Sequence, residues 1–244
     1  MRFIIVQLLL YSMKKYAFIP SRDGKSETLS VLKEFLTSAG YDVKVLIGKS
    51  SIFEAYGGAV KEFNISAKDR IIMCHDDIEV LNNVKSFNEI LDFHFEFPKS
   101  GFLGVAGAKV LLPHGVWWAN YSMEHVPRDP NNLLSGAVFH GNDFHNIGLD
   151  HYGGYAKTVV MDGLFLAATG AVLNSIQLKQ PKSFPGGWHF YDIFYTFQAF
   201  KKGFVNVTAP ILLRHESGGN TSELYEDNRL SFIERYKNDL PAYA

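Results

Sequence analysis

The sequence predicts an α/β fold with a mostly parallel, doubly wound central sheet flanked by helices. Three observations predict it. Short apolar runs alternate with helix-period segments over the first hundred residues, the order that builds such sheets. Apolar residues make up 47% and charged residues 20% of the 244, the profile of an ordinary globular chain with a large core. An acidic cluster begins directly after an apolar strand, and in these sheets ligands bind beyond the carboxyl ends of the strands.

The elements follow in order. Tyr16 to Pro20 reads as a strand, and Ser21-Arg22-Asp23-Gly24 as a turn with a ready helix cap. Leu29, Leu32, Phe35 and Leu36 recur at helical spacing until Gly40 stops the helix. Asp42 to Ile47 alternates as a strand. Ile52, Phe53, Tyr56 and Val60 share one helix face within Ile52 to Phe63, with Gly57-Gly58 as a weak point. Arg70 to Cys74 is a buried strand, Val84 to Phe93 a helix, and Phe102 to Ala106 and Lys109 to Leu112 are strands. Pro113 to Lys157 is rich in Gly, Asn, His and aromatics and reads as long loops around short strands, which are usually functional or mobile. Val159 to Ala168 reads as one strand carrying Asp162-Gly163, and Asp192 to Lys201 as a helix ended by Gly203. Phe204 to Arg214 is a strand pair or one bent strand around Pro210, and Ser222 to Tyr236 a polar helix.

Residues 1–15 form an apolar extension. Phe3 to Leu10 is too short to span a bilayer, and no small-residue cleavage site follows it. It is an edge strand or lies upstream of a later start at Met13, with a membrane-surface anchor as the alternative. Residues 16–244 read as one domain in two halves, 16–112 and 113–244. A net charge of −1 carries no basic excess and argues against a nucleic-acid partner. A single cysteine, Cys74, excludes an intramolecular disulfide and fits a reducing, cytoplasmic setting.

Four segments carry chemistry. Cys74-His75-Asp76-Asp77-Ile78-Glu79 gathers three carboxyls and an imidazole just past a strand. Such groups repel unless a divalent cation lies between them, and hard oxygen ligands suit Mg²⁺ or Mn²⁺; alternatively Asp76 or Asp77 caps a following helix. His215-Glu216-Ser217-Gly218-Gly219 again follows a strand, and its histidine is either structural or a further metal ligand. Gly186-Gly187-Trp188-His189-Phe190-Tyr191-Asp192 is a ring-rich turn ending in an Asp that either caps a helix or acts as a general base. Asp162 sits in an apolar run and must bond to the sheet edge or point into a cleft.

In this order the four segments resemble the GT-A glycosyltransferases, particularly their family-2-like group, from roughly Tyr16 to Gly219. The resemblance implies that His75-Asp76-Asp77 stands where that group carries Asp-x-Asp, with His75 in place of the usual Asp. It implies a Mn²⁺ or Mg²⁺ site of His75, Asp77 and the late His215, with Asp77 the strongest ligand. Pro20, Ser21, Arg22, Ser51, Tyr56 and Asp76 match donor-side segments, so 16–112 is the donor-nucleotide half. Asp162, Gly163 and Trp188 match the acceptor side, so 113–244 is the acceptor half. Asp192 matches the catalytic base, and Tyr191 stands where a Glu is usual. The implied activity is inverting transfer from a nucleoside diphosphate sugar to a glycan or other hydroxyl acceptor. Two rivals are a nucleotidyltransferase and a non-catalytic sugar- or nucleotide-binding protein on the same frame.

Overall fold

The protein is described here by a computed structural model covering residues 13–119, 133–142, 146–217 and 222–244. The apolar run Phe3 to Leu10, residues 120–132 and 143–145 of the expected loop region, and Gly218-Gly219 lie outside the described residues. The elements run β1 (Lys15–Ser21), α1 (Glu27–Ser38), β2 (Asp42–Ile47), α2 (Ile52–Glu62), β3 (Arg70–Cys74), β4 (Ile78–Val80) and α3 (Val84–Phe95). Then come β5 (Ser100–Gly104), β6 (Ala106–Ala108), β7 (Val110–Leu111), β8 (Leu134–His140), β9 (Gly148–Gly153), β10 (Lys157–Thr158), β11 (Val160–Met161) and β12 (Phe165–Thr169). The chain ends with α4 (Gly170–Ser175), α5 (Tyr191–Lys201), β13 (Val205–Thr208), β14 (Leu213–His215), α6 (Glu223–Tyr236) and β15 (Ala242–Tyr243).

The larger sheet has seven strands in the order β10-β13-β5-β12-β3-β1-β2. It is mixed: five of the seven strands share one direction, so it is mostly parallel as expected but not purely so. β1 runs parallel to β2 and β3, and β13 parallel to β5, but β12 is antiparallel to both β3 and β5. The reason is local. The chain turns at Asp162-Gly163-Leu164 beside the carboxyl end of β3 and inserts straight into the sheet, with Phe165 opposite Cys74 and Thr169 opposite Arg70. No helical crossover is needed for an antiparallel neighbour.

A second sheet runs β11-β6-β8-β14-β4, with β9 on β8. The run Val159 to Ala168 is therefore two strands, β11 and β12, in different sheets, and Asp162 lies in the turn between them. Phe204 to Arg214 divides likewise into β13 and β14. Residues after Asp77 form the strand β4, not the helix that an Asp cap would have started. β8 and β9, of seven and six residues, are longer than the short strands expected within 113–157.

Serines start the first two helices. Ser26 Oγ accepts from Leu29 N at 3.1 Å and Ser51 Oγ from Glu54 N at 3.0 Å, each satisfying an orphan amide of a first turn. The core lies on both faces of the large sheet, where Phe18, Phe87, Phe102, Phe165, Phe194 and Phe197 are fully buried. Among the described residues no helix is long and apolar enough to cross a membrane.

Candidate functional site

The site begins where β3 ends. Cys74 is buried, and burial pushes its thiol up. The next residue, His75, donates its amide to Leu164 O at 3.0 Å, which binds the end of β3 to the turn that precedes β12. The pairing of β14 with β4 sets His215 opposite Ile78, and Glu216 N donates to Asp77 O at 3.0 Å. Three separate chain segments thus meet at one point.

His75, Asp77 and His215 each offer one ligand atom there, all within 4.8 Å of one another. Asp77 Oδ1 lies 3.3 Å from His215 Nε2 and 3.8 Å from His75 Nδ1. Ligand atoms around one small divalent ion sit about 3 Å apart, so the spacing is close to that of a coordination shell. His215 is buried, and its Nδ1 has no hydrogen-bond partner among the described residues. Its Nε2 faces the Asp77 carboxylate and the Ser217 hydroxyl, at 3.1 Å. Burial raises the Asp77 carboxyl, but the hydrogen bond and charge of His215, helped by His75 and Ser217, outweigh it and hold the group well below the usual carboxylate range. Burial lowers His215, yet Asp77, Asp162 and Glu216 bring it above its ordinary value. His75 is held down by burial and by the neighbouring His215. Two imidazoles and one carboxylate fit a divalent transition ion such as Mn²⁺ better than Mg²⁺, which favours oxygen ligands.

Asp162 and Asp192 lie beside this cluster. Asp162 Oδ1 accepts from Leu164 N at 2.9 Å, which closes the turn, and its charge acts on His75, His215 and Asp192. Asp192 Oδ2 accepts from Gly163 N at 3.0 Å. The cap position of α5 belongs to Phe190, at φ 64° and without a side-chain cap bond, so Asp192 sits inside the first turn rather than at the cap. Burial, and then the charge of Asp162, push the Asp192 carboxyl up to about 7. A carboxylate poised near neutrality can accept a proton.

The remaining sequence-predicted residues take various places. Pro20 and Ser21 end β1, whose Phe18 is level with Met73, so they extend toward the His75 end of β3; Arg22 beyond them is exposed. Asp76 is half-buried between the two metal-ready residues of its segment. Ser51 is buried under Gly187, where a Cβ on the glycine would stand 2.4 Å from Ser51 Cβ. Tyr56 is fully buried behind Tyr191, with ring centroids 5.9 Å apart, which leaves it no surface to offer a donor and makes it a support of the site. Trp188 is 47% exposed on the Gly-Gly turn, which Asn228 of α6 clasps through Gly186 and the carbonyl of His189.

Sequence reasoning missed three participants. Glu79 does not join the acidic cluster; it accepts from Arg214 at 2.9 and 3.0 Å. Arg214 is buried, also donates to Gly141 O at 2.8 Å and lies 3.5 Å from Glu216, whose other contact is the Thr28 hydroxyl. A charge next to His215 in an apolar strand was the available signal. His140, level with His215 on β8, stacks edge-on against it at 5.6 Å and lies 3.5 Å from Asp150. Tyr191 stands between His75 and Gly163, at 3.0 and 3.1 Å.

The chain has a mixed α/β fold of the GT-A kind, with the candidate ligand side chains gathered at the carboxyl end of β3 in its seven-stranded sheet. The model of the Glycosyltransferase like family matches residues 23–236, and the chain belongs to that family. No curated protein matches it by sequence. Among solved structures, that of GalNAc-T7 with UDP, GalNAc and Mn²⁺ is similar at 11% identity and a TM-score of 0.57, covering 92% of this chain and 48% of that one. The likeness at that identity is one of fold, and this chain spans about half the length of that protein. A197 from STIV is 10% identical, with a TM-score of 0.44 over 86% of this chain and 97% of that one. A CMP:2-keto-3-deoxy-manno-octonic acid synthetase complexed with CTP is 12% identical, with a TM-score of 0.39 over 91% and 99%.

Proposed function

We propose that this member of the family moves a sugar from a nucleoside diphosphate sugar to a hydroxyl of a glycan or other acceptor, with inversion at the anomeric carbon. The observation that carries the reading is the convergence of His75, Asp77 and His215 beside a carboxylate raised to about 7. His75, Asp77 and His215 would hold Mn²⁺ or Mg²⁺, with Mn²⁺ favoured by the two imidazoles. Held there, such an ion would supply positive charge to stabilise a departing diphosphate.

The chain's own residues do the rest. Asp192 takes the proton of the acceptor hydroxyl. The freed oxygen pair forms the new bond to the anomeric carbon as the bond to the diphosphate oxygen breaks, and that electron pair leaves with the nucleoside diphosphate. Attack from the face opposite the leaving group inverts the carbon. Pro20, Ser21, Arg22, Ser51 and Asp76 form the donor side within 16–112, with Tyr56 packed behind it. Asp162, Gly163 and Trp188 form the acceptor side within 113–244, where the exposed Trp188 ring offers a face for a sugar. A buried, unpaired Cys74 supports a reducing setting such as the cytoplasm.

The test is thermal stability with a panel of nucleotide sugars, with and without Mn²⁺. A true donor stabilises by mass action, about 2.7 kcal/mol at a hundred times its Kd, and only with the metal present. Equal stabilisation without metal overturns the metal role. Metal-dependent binding without transfer or donor hydrolysis favours a binding protein, and release of diphosphate from a nucleoside triphosphate favours a nucleotidyltransferase.

A further inference from the structure

We propose that Tyr191 is a positioning residue that fixes the metal-binding tautomer of His75, and that the Gly163 peptide ties this to Asp192. The inference rests on the metal reading of the His75-Asp77-His215 cluster.

The argument is a count of protons. Tyr191 Oη lies 3.1 Å from Gly163 O and 3.0 Å from His75 Nε2. A carbonyl oxygen only accepts, so the single phenol proton is spent on Gly163. A tyrosine phenol keeps its proton at neutral pH, so that proton stays in place. The phenol oxygen can therefore only accept from His75, and the contact is a hydrogen bond only when Nε2 carries the hydrogen. A neutral imidazole has one N–H, so Nδ1 is left with the lone pair. Nδ1 is the atom that faces Asp77 Oδ1, at 3.8 Å. The hydrogen bond on one ring nitrogen thus prepares the other for a metal.

Position 163 shows that this approach is built. A Cβ there would stand 2.3 Å from Tyr191 Oη, 2.6 Å from its Cζ and 2.9 Å from Asp192 Cβ, so only glycine admits both neighbours. The same peptide then serves two groups: its carbonyl accepts from Tyr191 and its N–H donates to Asp192 Oδ2 at 3.0 Å. The Tyr191 ring is held by Tyr56 and Tyr195, with centroids 5.9 and 6.1 Å away, independently of the hydroxyl. Tyr191→Phe therefore removes the hydrogen bond and keeps the packing.

Two measurements test this. Long-range proton–nitrogen NMR on histidine-labelled, metal-free wild type, with the signal assigned by His75→Asn, should show His75 as the Nε2–H tautomer. Finding Nδ1–H overturns the proposal, and this experiment needs no folded Tyr191 variant. Electron paramagnetic titration with Mn²⁺ should show affinity reduced about 10–100-fold in Tyr191→Phe, with His75 now a mixture of tautomers. Unchanged Mn²⁺ affinity in a folded Tyr191→Phe variant also overturns it. A wild type that binds no Mn²⁺ removes the metal reading instead, while the tautomer result still decides the Tyr191–His75 contact.

Discussion

Replacing Asp192 with Asn should stabilise the fold at alkaline pH while it removes activity. The Asp192 carboxyl is raised from 3.8 to about 7 in the folded chain, by burial first and by the charge of Asp162 second. Between those two values the folded state binds more protons than the unfolded one. The stability gained by protonation is complete below the lower value and is lost as pH rises through the upper one. About three units correspond to a ceiling of roughly 4 kcal/mol. Asp192 retains some contact with solvent, which reduces this to about 1–2 kcal/mol. Asn carries no charge to bury or to repel Asp162, and its side-chain oxygen still accepts the Gly163 amide now bonded at 3.0 Å. In metal-free buffer at pH 8 the Asn variant should melt about 3–6 °C above wild type, and near pH 4 the difference should vanish. Turnover should fall roughly 10²–10⁴-fold with donor affinity unchanged, because the lost proton acceptor acts in the transition state. A variant that melts lower at pH 8 and turns over near normally would refute the reasoning and leave Asp192 a helix-start residue.

The acid limb of kcat/KM should lie near pH 7 in wild type and move lower in Asp162→Asn, since a like charge no longer raises Asp192; an unmoved limb assigns it to another group. Asp77→Ala should abolish Mn²⁺-dependent nucleotide binding in a folded protein, as it removes the carboxylate that faces both histidines; calorimetry showing unchanged affinity would sink the metal assignment. Arg214→Met should cost about 3–5 kcal/mol in urea unfolding, because it strands Glu79 and Glu216 without their buried partner. A loss under about 1 kcal/mol would show that water already serves those carboxylates.

The first hundred residues were legible because each element there states its period locally. Asp42 to Ile47 alternates and Ile71 to Cys74 behind Arg70 is apolar throughout, and both segments are strands. Val159 to Ala168 misled for a physical reason: the residues on both sides of Asp162-Gly163 are buried, in two different sheets, so the apolar run resumes beyond the turn as if it were one strand. The candidate ligand residues were visible as polar groups placed after apolar strands. Their meeting was not, since His215 reaches Asp77 only through the non-local pairing of β14 with β4. The role of Tyr191 was out of reach from sequence, where a tyrosine at a helix start reads as packing. Its one trace was Gly163, a glycine in an otherwise apolar run, which marks close approach of another group.

The direction of β12 links these readings. Had it run parallel to β3, its first residue would lie at the Arg70 end of the sheet, a strand's length from His75. Because it runs antiparallel, Phe165 stands opposite Cys74 and the turn before it is bonded to the amide of His75. Asp162 and Gly163 are thereby delivered to the metal-ready cluster, and Gly163 in turn holds Tyr191 and Asp192 from α5. The departure from a parallel sheet is thus what assembles the candidate base and the candidate metal ligands in one place. Strand direction is set by a three-residue turn, and Asp162 closes that turn with its own side chain on Leu164 N. The same carboxylate then raises Asp192, so one residue shapes both the backbone of the site and the proton affinity of its candidate base.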